Sequence, residues 1–289
     1  MKTCQPPDPN TRTPTFRPPP GACDAHCHVF GPADIFPYHP TRSYTPPDAP
    51  KAHLARLHAI LGIDRAVIVQ ASCHGPDNTA MIDAIASSGG RWRGVAIVDD
   101  DCSEREYRRL HDGGVRAIRF NFVRHLGGTP DLAVFERAVE RIRPLGWHLI
   151  LHLDAEDILE HEARFKRLPV PIVIDHMGRV QAKNGLDQAP FRKLLEFMRN
   201  DNCWVKICGP ERVSSKGPPF TAAVPFAEKL VEVAPDRVLW GTDFPHPNIA
   251  GVMPNDGDLV DLLARAVPDP ALQRKVLVDN PARLYGFDA

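Results

Sequence analysis

The sequence predicts an α/β fold, a single (β/α)8 barrel, and three observations lead to this prediction. Short runs rich in β-branched residues alternate with longer segments of helical period. The alternation repeats about eight times over roughly 250 residues, which is the size of such a barrel. Several short runs are almost continuously apolar, as strands buried on both faces of a parallel sheet must be. A doubly wound open sheet is the alternative, but it usually has fewer strands and a glycine-rich turn after the first, and here the first strand ends in His-Cys-His.

The apolar runs predict the positions of the eight strands. These are residues 23–30, 65–71, 93–98, 115–122, 147–153, 170–176, 203–208 and 237–243. Amphipathic stretches that predict helices lie between them, including residues 77–88, 132–142, 156–167, 191–199 and 222–233. We therefore expect one barrel domain over residues 22–289.

Composition narrows the class of protein further. Residues 1–21 are rich in proline, which predicts an extended N-terminal arm, and no secretory signal is recognised there. A formal net charge of -1 gives no reason to expect nucleic acid or an acidic membrane surface as a partner, and no apolar run is long enough for a transmembrane helix. The seven cysteines do not suggest a disulfide framework, so we expect a cytoplasmic protein. The sequence does not indicate an oligomeric state.

Polar residues end several of the predicted strands. His26 and His28 lie two residues apart in the first strand, so their side chains point to the same side. In a barrel that side can be the interior, near the C-terminal strand ends where active sites form. His152, His176 and Asp243 end the fifth, sixth and eighth strands. Because a buried imidazole or carboxylate needs a partner, we expect these five side chains to form one site.

The sequence motifs around these residues are specific enough to suggest a family. They are PPPGACDAHCHVFGP, IVQASCHGPDN, AIRFNF, IVIDHMGR, GPERVSSKGPP and WGTDFPHPN. The histidine and aspartate pattern resembles that of the amidohydrolase superfamily, and the motifs resemble those of its 2-pyrone-4,6-dicarboxylate lactonases and their close lactonase relatives. The resemblance extends from about residue 18 to the PARLYGF segment near the end of the chain.

The resemblance implies a reaction and a division of roles. The reaction is the reversible opening of a six-membered unsaturated lactone with two carboxylates to 4-oxalomesaconate, in bacterial breakdown of lignin-derived aromatics. Asp243 would be the general base that activates water, and His26, His28 and His176 would polarise the lactone carbonyl and stabilise the tetrahedral oxyanion. Ester hydrolysis does need a base of moderate pKa and an electrophile near the carbonyl oxygen.

A dicarboxylate substrate needs cationic partners in the pocket. Arginine suits this role because its planar fork matches a carboxylate, and the resemblance assigns it to Arg119 and Arg212. The loop after the fourth strand reads FVRHLGG, so either Arg124 or His125 is expected to add a third basic contact. Further substrate contacts are expected from Ser72, His74 and Tyr44, although loop packing explains Tyr44 equally well.

The fifth strand departs from the pattern of the metal-free dicarboxylate lactonases, which have a tyrosine near the position of His152. In metal-dependent relatives the corresponding set holds one divalent ion, and here His26, His28, His152 and Asp243 would supply it. Three imidazoles and one carboxylate suit Zn2+ or Mn2+ with an open position for water, and His176 would then act as acid/base or carbonyl polariser. A metal-free mechanism is the alternative. The fourth strand contains no lysine for a two-metal centre.

Other functions remain open from the sequence. A sulfonated muconolactone also needs arginine, whereas an aldonolactone would need several neutral polar donors that are less evident. A related decarboxylase branch uses the same histidines and aspartate, but the DHMGR and WGTDFPHPN segments look closer to the lactonases. A barrel that only binds its ligand would be expected to have lost one of these residues, and all are present.

Overall fold

The computed structural model describes residues 2–288, and its centre is a barrel of eight strands. The strands pair in chain order and every pair is parallel, which confirms the predicted fold. Each strand lies within one residue of its predicted range, although most are shorter. They are β1 Cys23–Cys27, β2 Arg65–Val69, β3 Trp92–Ala96, β4 Val115–Asn121, β5 His148–His152, β6 Ile172–Ile174, β7 Cys203–Lys206 and β8 Val238–Leu239.

The barrel closes between β1 and the segment that follows β8. The amide of Ala25 donates to the carbonyl of Trp240 at 2.8 Å, and the amide of His28 donates to the carbonyl of Phe244 at 2.7 Å. In the other direction the amide of Asp243 donates to the carbonyl of His26 at 2.7 Å. These bonds continue the sheet beyond the short β8 and hold Asp243 beside β1.

Helices surround the barrel and bury their apolar stripes against the strands. The predicted helix over residues 132–142 is confirmed, whereas the predicted helix over 156–167 is two short helices separated at His161, whose φ of -104° and ψ of 13° are not helical. The helices are α1 Lys51–Leu61, α2 Thr79–Ala86, α3 Glu104–Asp112, α4 Leu132–Ile142, α5 Asp157–Glu160, α6 Glu162–Phe165, α7 Ala189–Phe197, α8 Pro210–Val213, α9 Val224–Val233, α10 Asp256–Ala266, α11 Pro270–Arg274 and α12 Asn280–Tyr285.

Apolar side chains form two cores. The larger core lies between the strands and the helices. The smaller one fills the barrel with alternate residues of the strands, such as Ala25 in β1 and Ile150 in β5, together with Tyr285 and Phe287 near the C-terminus. Because this inner core includes Cys23, which begins β1, and the guanidinium of Arg65, which begins β2, lies 5.5 Å from the ring of Phe287, the C-terminal segment covers the N-terminal end of the barrel. The histidines and the aspartate of the predicted site lie at the opposite, C-terminal end of the barrel strands, where barrel active sites form.

The N-terminal arm lies against the body of the protein. Lys2–Thr3 pairs in parallel with Tyr44–Thr45. Further along, Arg12 forms an ion pair with Asp258 of α10 at 2.6 Å, so the described part of the arm is docked. The boundary that we predict between arm and barrel domain stays a prediction. Within residues 2–288, no helix is both long and apolar enough to cross a membrane. All seven cysteines are described and are free thiols, as predicted.

Candidate active site

A β-bulge in β1 turns both histidines of the His-Cys-His motif toward the barrel interior. Ala25 already belongs to the inner core, so strict alternation would turn His26 and His28 to the outer face. The register against β2 shifts by one residue between Asp24 and Cys27. This extra residue reverses the alternation and brings His26 and His28 inside.

One oxygen of Asp243 is the meeting point of three imidazoles. Its Oδ1 lies 3.3 Å from Nε2 of His28, 3.4 Å from Nε2 of His26 and 3.9 Å from Nε2 of His176. All four side chains are buried. The carboxylate and imidazoles that the sequence predicts as one group are therefore brought together.

The other oxygen of Asp243 is held by an arginine. Oδ2 accepts from Nη2 of Arg212 at 2.6 Å and from Nε at 2.9 Å. Burial alone would raise the pKa of the Asp243 carboxyl, but Arg212 and then the surrounding imidazoles hold this pKa well below its usual range. Asp243 is therefore ionised, and it forms an ion pair with Arg212.

His176 lies in a left-handed turn rather than at the end of a strand. The sixth strand was predicted to reach residue 176, but β6 ends at Ile174, and His176, Met177 and Gly178 follow with φ of 51°, 53° and 63°. Side chains disfavour this conformation by roughly 1–2 kcal/mol per residue. The turn brings His176 close to Gly209, where a Cβ would lie only 2.6 Å from Nδ1 of the ring. The strained backbone thus serves to position His176.

A fully buried ionic cluster lies beside the histidines. Asp175 accepts from Nε of Arg119 at 3.0 Å through Oδ2, and its Oδ1 lies 3.2 Å from Nζ of Lys206. Nδ1 of His26 lies 3.1 Å from the same ammonium and 3.2 Å from the same carboxylate oxygen. Burial, and then Lys206, lower the pKa of His26 to about 4, so its imidazole is neutral at physiological pH. Sequence reasoning missed Lys206 and Asp175, although a charge inside each of the apolar runs CWVKIC and PIVID was a signal.

Three of the four predicted metal ligands are brought together. The donor atoms of His26, His28 and Asp243 lie within 4.8 Å of one another. His152 is not in this group, although it does face the site, because its ring centroid lies 5.4 Å from that of His176. Nδ1 of His152 is 2.9 Å from Oδ1 of Asn121, and its Nε2 is buried with no hydrogen-bond partner among residues 2–288.

Tyr44, Ser72 and His74 were predicted to contact the substrate, and they differ in whether their polar atoms can bind a ligand. Tyr44 is buried, and burial raises the pKa of its phenol well above the usual range. The hydroxyl of Ser72 accepts from Nδ2 of Asn121 at 3.3 Å and is partly exposed. Both ring nitrogens of His74 are used by the backbone, since Nε2 accepts from the amide of Gly31 at 3.2 Å and Nδ1 lies 3.3 Å from a carbonyl oxygen. The structure therefore gives His74 a loop-fixing role and leaves no ring nitrogen for a ligand.

Arg124 and His125 in the loop after β4, the two residues predicted to supply a third basic substrate contact, are both exposed. The amide of Arg124 donates to Asp154 at 3.2 Å, but in the described part of the chain its side chain forms no hydrogen bond or ion pair. The ring centroid of His125 lies 6.2 Å from that of His152, which places this residue nearer the site. A third basic side chain, Arg179, follows His176 in the left-handed turn and was not singled out from the sequence.

The fold and this histidine and aspartate site define a class of enzymes, and the chain belongs to it. The model of the amidohydrolase family matches residues 23–287, so the chain is a member of the amidohydrolase family. Over 96% of this chain and 93% of the relative, the sequence is 50% identical to a 2-pyrone-4,6-dicarboxylate hydrolase of Comamonas testosteroni. It is 42% identical to a 4-sulfomuconolactone hydrolase of Hydrogenophaga intermedia, over 93% of this chain and 89% of the relative.

A solved structure agrees with the fold. An Agrobacterium tumefaciens protein that is 28% identical superimposes with a TM-score of 0.81, covering 95% of this chain and 99% of that chain. The sequence comparisons also confirm the resemblance inferred from the motifs.

Proposed function

We propose that the protein is a lactonase that hydrolyses 2-pyrone-4,6-dicarboxylate, reversibly, to 4-oxalomesaconate in the degradation of lignin-derived aromatics. The observation that carries this proposal is the convergence of three imidazoles on one oxygen of Asp243, whose other oxygen is held by Arg212. A base beside carbonyl-polarising groups is what ester hydrolysis requires. The 50% identity to the Comamonas protein supports the choice of substrate.

In the proposed reaction, Asp243 accepts a proton from water as the water oxygen attacks the lactone carbonyl. The carbonyl oxygen becomes an oxyanion and is stabilised by N–H groups of the neighbouring imidazoles. Collapse of the tetrahedral intermediate breaks the ester C–O bond, and the leaving enol oxygen takes the proton from Asp243. The enol then tautomerises to the keto acid.

The proton positions on the rings support these roles. In the tautomer whose Nδ1 accepts from the ammonium of Lys206, which can only donate, the ring proton of His26 lies on Nε2. The thiol of Cys208 lies 3.3 Å from Nδ1 of His176 and supports the same tautomer there. His26 and His176 can therefore each donate an N–H toward the reacting carbonyl while neutral.

The imidazole nitrogens and the carboxylate oxygen of the site would also suit one divalent ion, either Zn2+ or Mn2+. Nδ1 of His28 lies 2.7 Å from the carbonyl oxygen of Val69 and donates to it, so in the neutral ring the lone pair of Nε2 faces Asp243. His26 would ligate in its other tautomer, with Nδ1 donating to Asp175. When bound, the ion would polarise the carbonyl and lower the pKa of the attacking water. Without an ion, the N–H groups of His26 and His176 would polarise the carbonyl.

Arg119, which is buried, and Arg212, whose side chain is 10% exposed, would recognise the acidic groups of the substrate. Arg119 donates through Nε to Asp175 alone among residues 2–288, which leaves the end of its guanidinium fork for a carboxylate. Arg212 is paired with Asp243, so a substrate carboxylate that binds Arg212 would share it with the base. Such competition would weaken the hold of Arg212 on Asp243 and increase the basicity of the carboxylate during binding.

A second candidate function is hydrolysis of 4-sulfomuconolactone. It is favoured by His152, which differs from the tyrosine of the metal-free lactonases and adds an unpartnered imidazole nitrogen beside His176. The 42% identity to the Hydrogenophaga protein agrees with it. A sulfonate would use the same arginines.

Assays of the purified protein with 2-pyrone-4,6-dicarboxylate and with 4-sulfomuconolactone distinguish the two proposed functions. Loss of the ultraviolet band of 2-pyrone-4,6-dicarboxylate, with a product heavier by one water, would support the first. Turnover of 4-sulfomuconolactone alone would support the second. Release of carbon dioxide without a ring-opened acid would contradict both and indicate a decarboxylase.

A further inference from the structure

The left-handed turn after β6 presents two side chains to the same region. His176 and Arg179 begin and end a run of four residues with φ between 50° and 63°. His176 faces Asp243, and the charges of Arg212 and Asp243 both act on Arg179, so Arg179 also lies near the site.

Arg179 is held at one nitrogen and free at another. Its Nε donates to Oδ1 of Asp154 at 3.0 Å, and its side chain is 20% exposed. Nη1 is buried and has no hydrogen-bond partner among residues 2–288. A buried guanidinium N–H that lacks an acceptor is costly, and such a group in a native fold needs an explanation. A ligand that brings its own acceptor supplies one.

The surroundings of Arg179 favour an anion. Burial and the nearby charge of Arg212 both lower the pKa of Arg179, while Asp154 and Asp243 oppose this effect. Gln181 donates to the backbone carbonyls of both Arg179 and Arg212, at 3.1 and 3.3 Å, and so links the two arginines. Asp243 pairs with Arg212. Asp154 pairs with Arg179 but also accepts from the amide of Arg124, so its charge is shared between two donors.

We infer that Arg179 binds a carboxylate of the substrate through the free end of its guanidinium group, and thereby selects dianionic over monoanionic lactones. This inference rests on the proposed function. It transfers to Arg179 the third basic contact that the sequence assigns to Arg124 or His125. Asp154 is the positioning residue that orients the guanidinium plane.

The kinetic test compares Arg179→Gln with a matched arginine substitution. Arg143 is a suitable control because its side chain is 61% exposed and, among residues 2–288, forms an ion pair only with Glu140, at 3.9 Å. Since a charge-assisted pair to a carboxylate is lost, Arg179→Gln should raise KM for 2-pyrone-4,6-dicarboxylate by about tenfold or more with a smaller change in kcat. KM for 2-pyrone-5-carboxylate, which has one carboxylate, should change much less. Equal KM values for wild type and Arg179→Gln would overturn the inference.

A binding experiment tests the inference even if the protein does not hydrolyse the pyrone. Calorimetry with isophthalate, a ring with two carboxylates, and with benzoate, which has one, measures the preference for a dianion. Wild type should prefer isophthalate, Arg179→Gln should lose this preference, and Arg179→Lys should keep part of it because only the fork is lost. An unchanged preference in Arg179→Gln would refute the role of Arg179. If Arg179→Gln loses the preference but the wild-type protein does not hydrolyse the pyrone, the proposed substrate would be refuted and the role of Arg179 would be kept.

Discussion

Arg212 and Asp243 form a buried ion pair in which two guanidinium nitrogens contact one carboxylate oxygen, at 2.6 and 2.9 Å. The same contact leaves the other oxygen of Asp243 facing the imidazoles. Arg212 thus fixes the rotation of the carboxylate, and it is also the cation that we propose for substrate binding. The base and the substrate-binding group of this site are directly coupled.

Replacing Arg212 should therefore affect the chemical step as well as binding. We expect Arg212→Gln to lower kcat/KM for the lactone by about 100-fold or more, because a misplaced catalytic group costs this much. Part of the loss should appear in kcat. Steady-state kinetics beside the Arg143→Gln control measure the effect, and a change confined to KM would mean that Arg212 does not orient Asp243.

Metal content distinguishes a mechanism that uses a bound divalent ion from the metal-free mechanism. We expect about one equivalent of zinc or manganese in the purified protein, lost in His28→Asn and retained in His152→Asn, because His152 lies outside the group of donor atoms. Plasma emission spectrometry measures the ion, and activity before and after chelation measures its role. A metal-free protein that remains active would contradict the metal-bound form and leave Asp243 as the free base.

Lys206, which contacts Asp175 and His26, should be important for stability. It is fully buried between Asp175 and His26, so Lys206→Met leaves Asp175 short of a cation and should lower the free energy of unfolding by about 3–5 kcal/mol. The surface pair of Lys229 with Glu232, at 2.7 Å, provides the control. Lys229→Met should cost less than about 1 kcal/mol in the same urea titration. Equal losses in the two variants would show that the buried cluster does not stabilise the fold.

His148 should make the protein less stable in acid. Burial, and then the charge of Lys206, lower the pKa of His148 to about 3. The unfolded chain binds a proton on this residue below about pH 6.5 and the folded chain does not, so stability falls with pH from about 6.5 toward 3. At about pH 5 the loss from this residue is about 2 kcal/mol relative to neutral pH.

The variant His148→Gln isolates that contribution. Its free energy of unfolding should fall less than that of wild type between neutral pH and about pH 5, by about 2 kcal/mol. Urea titrations at the two pH values measure this difference, and any general loss of stability cancels. The same pH dependence in both proteins would contradict a neutral buried His148.

The strands and most of the site could be predicted because burial dictates their composition. A parallel barrel strand needs apolar residues on both faces, so all eight strands are visible in the sequence. The inward position of His26 and His28 was predicted, but not its cause, since the apolar neighbour Ala25 also points inward and only a bulge reconciles the three residues.

Backbone conformation and long-range pairing account for what sequence reasoning missed. The left-handed turn at His176 and Met177 uses residues that usually avoid positive φ, so no local signal marks it. Lys206 is interpretable only once Asp175, which directly follows β6, is known to lie 3.2 Å away. The same holds for His74, whose ring nitrogens are taken by backbone groups of a distant loop.

The rate at which Asp243→Asn opens 2-pyrone-4,6-dicarboxylate, relative to wild type, tests the proposed role of Asp243 as the base. Asparagine has the same shape and tolerates the left-handed backbone of residue 243, whose φ is 66°, so the fold should be kept. If Asp243 is the base, kcat should fall by about 100-fold to 10,000-fold, the usual contribution of a general base. A variant that folds normally and keeps a kcat within about threefold of wild type would show that Asp243 is not the base.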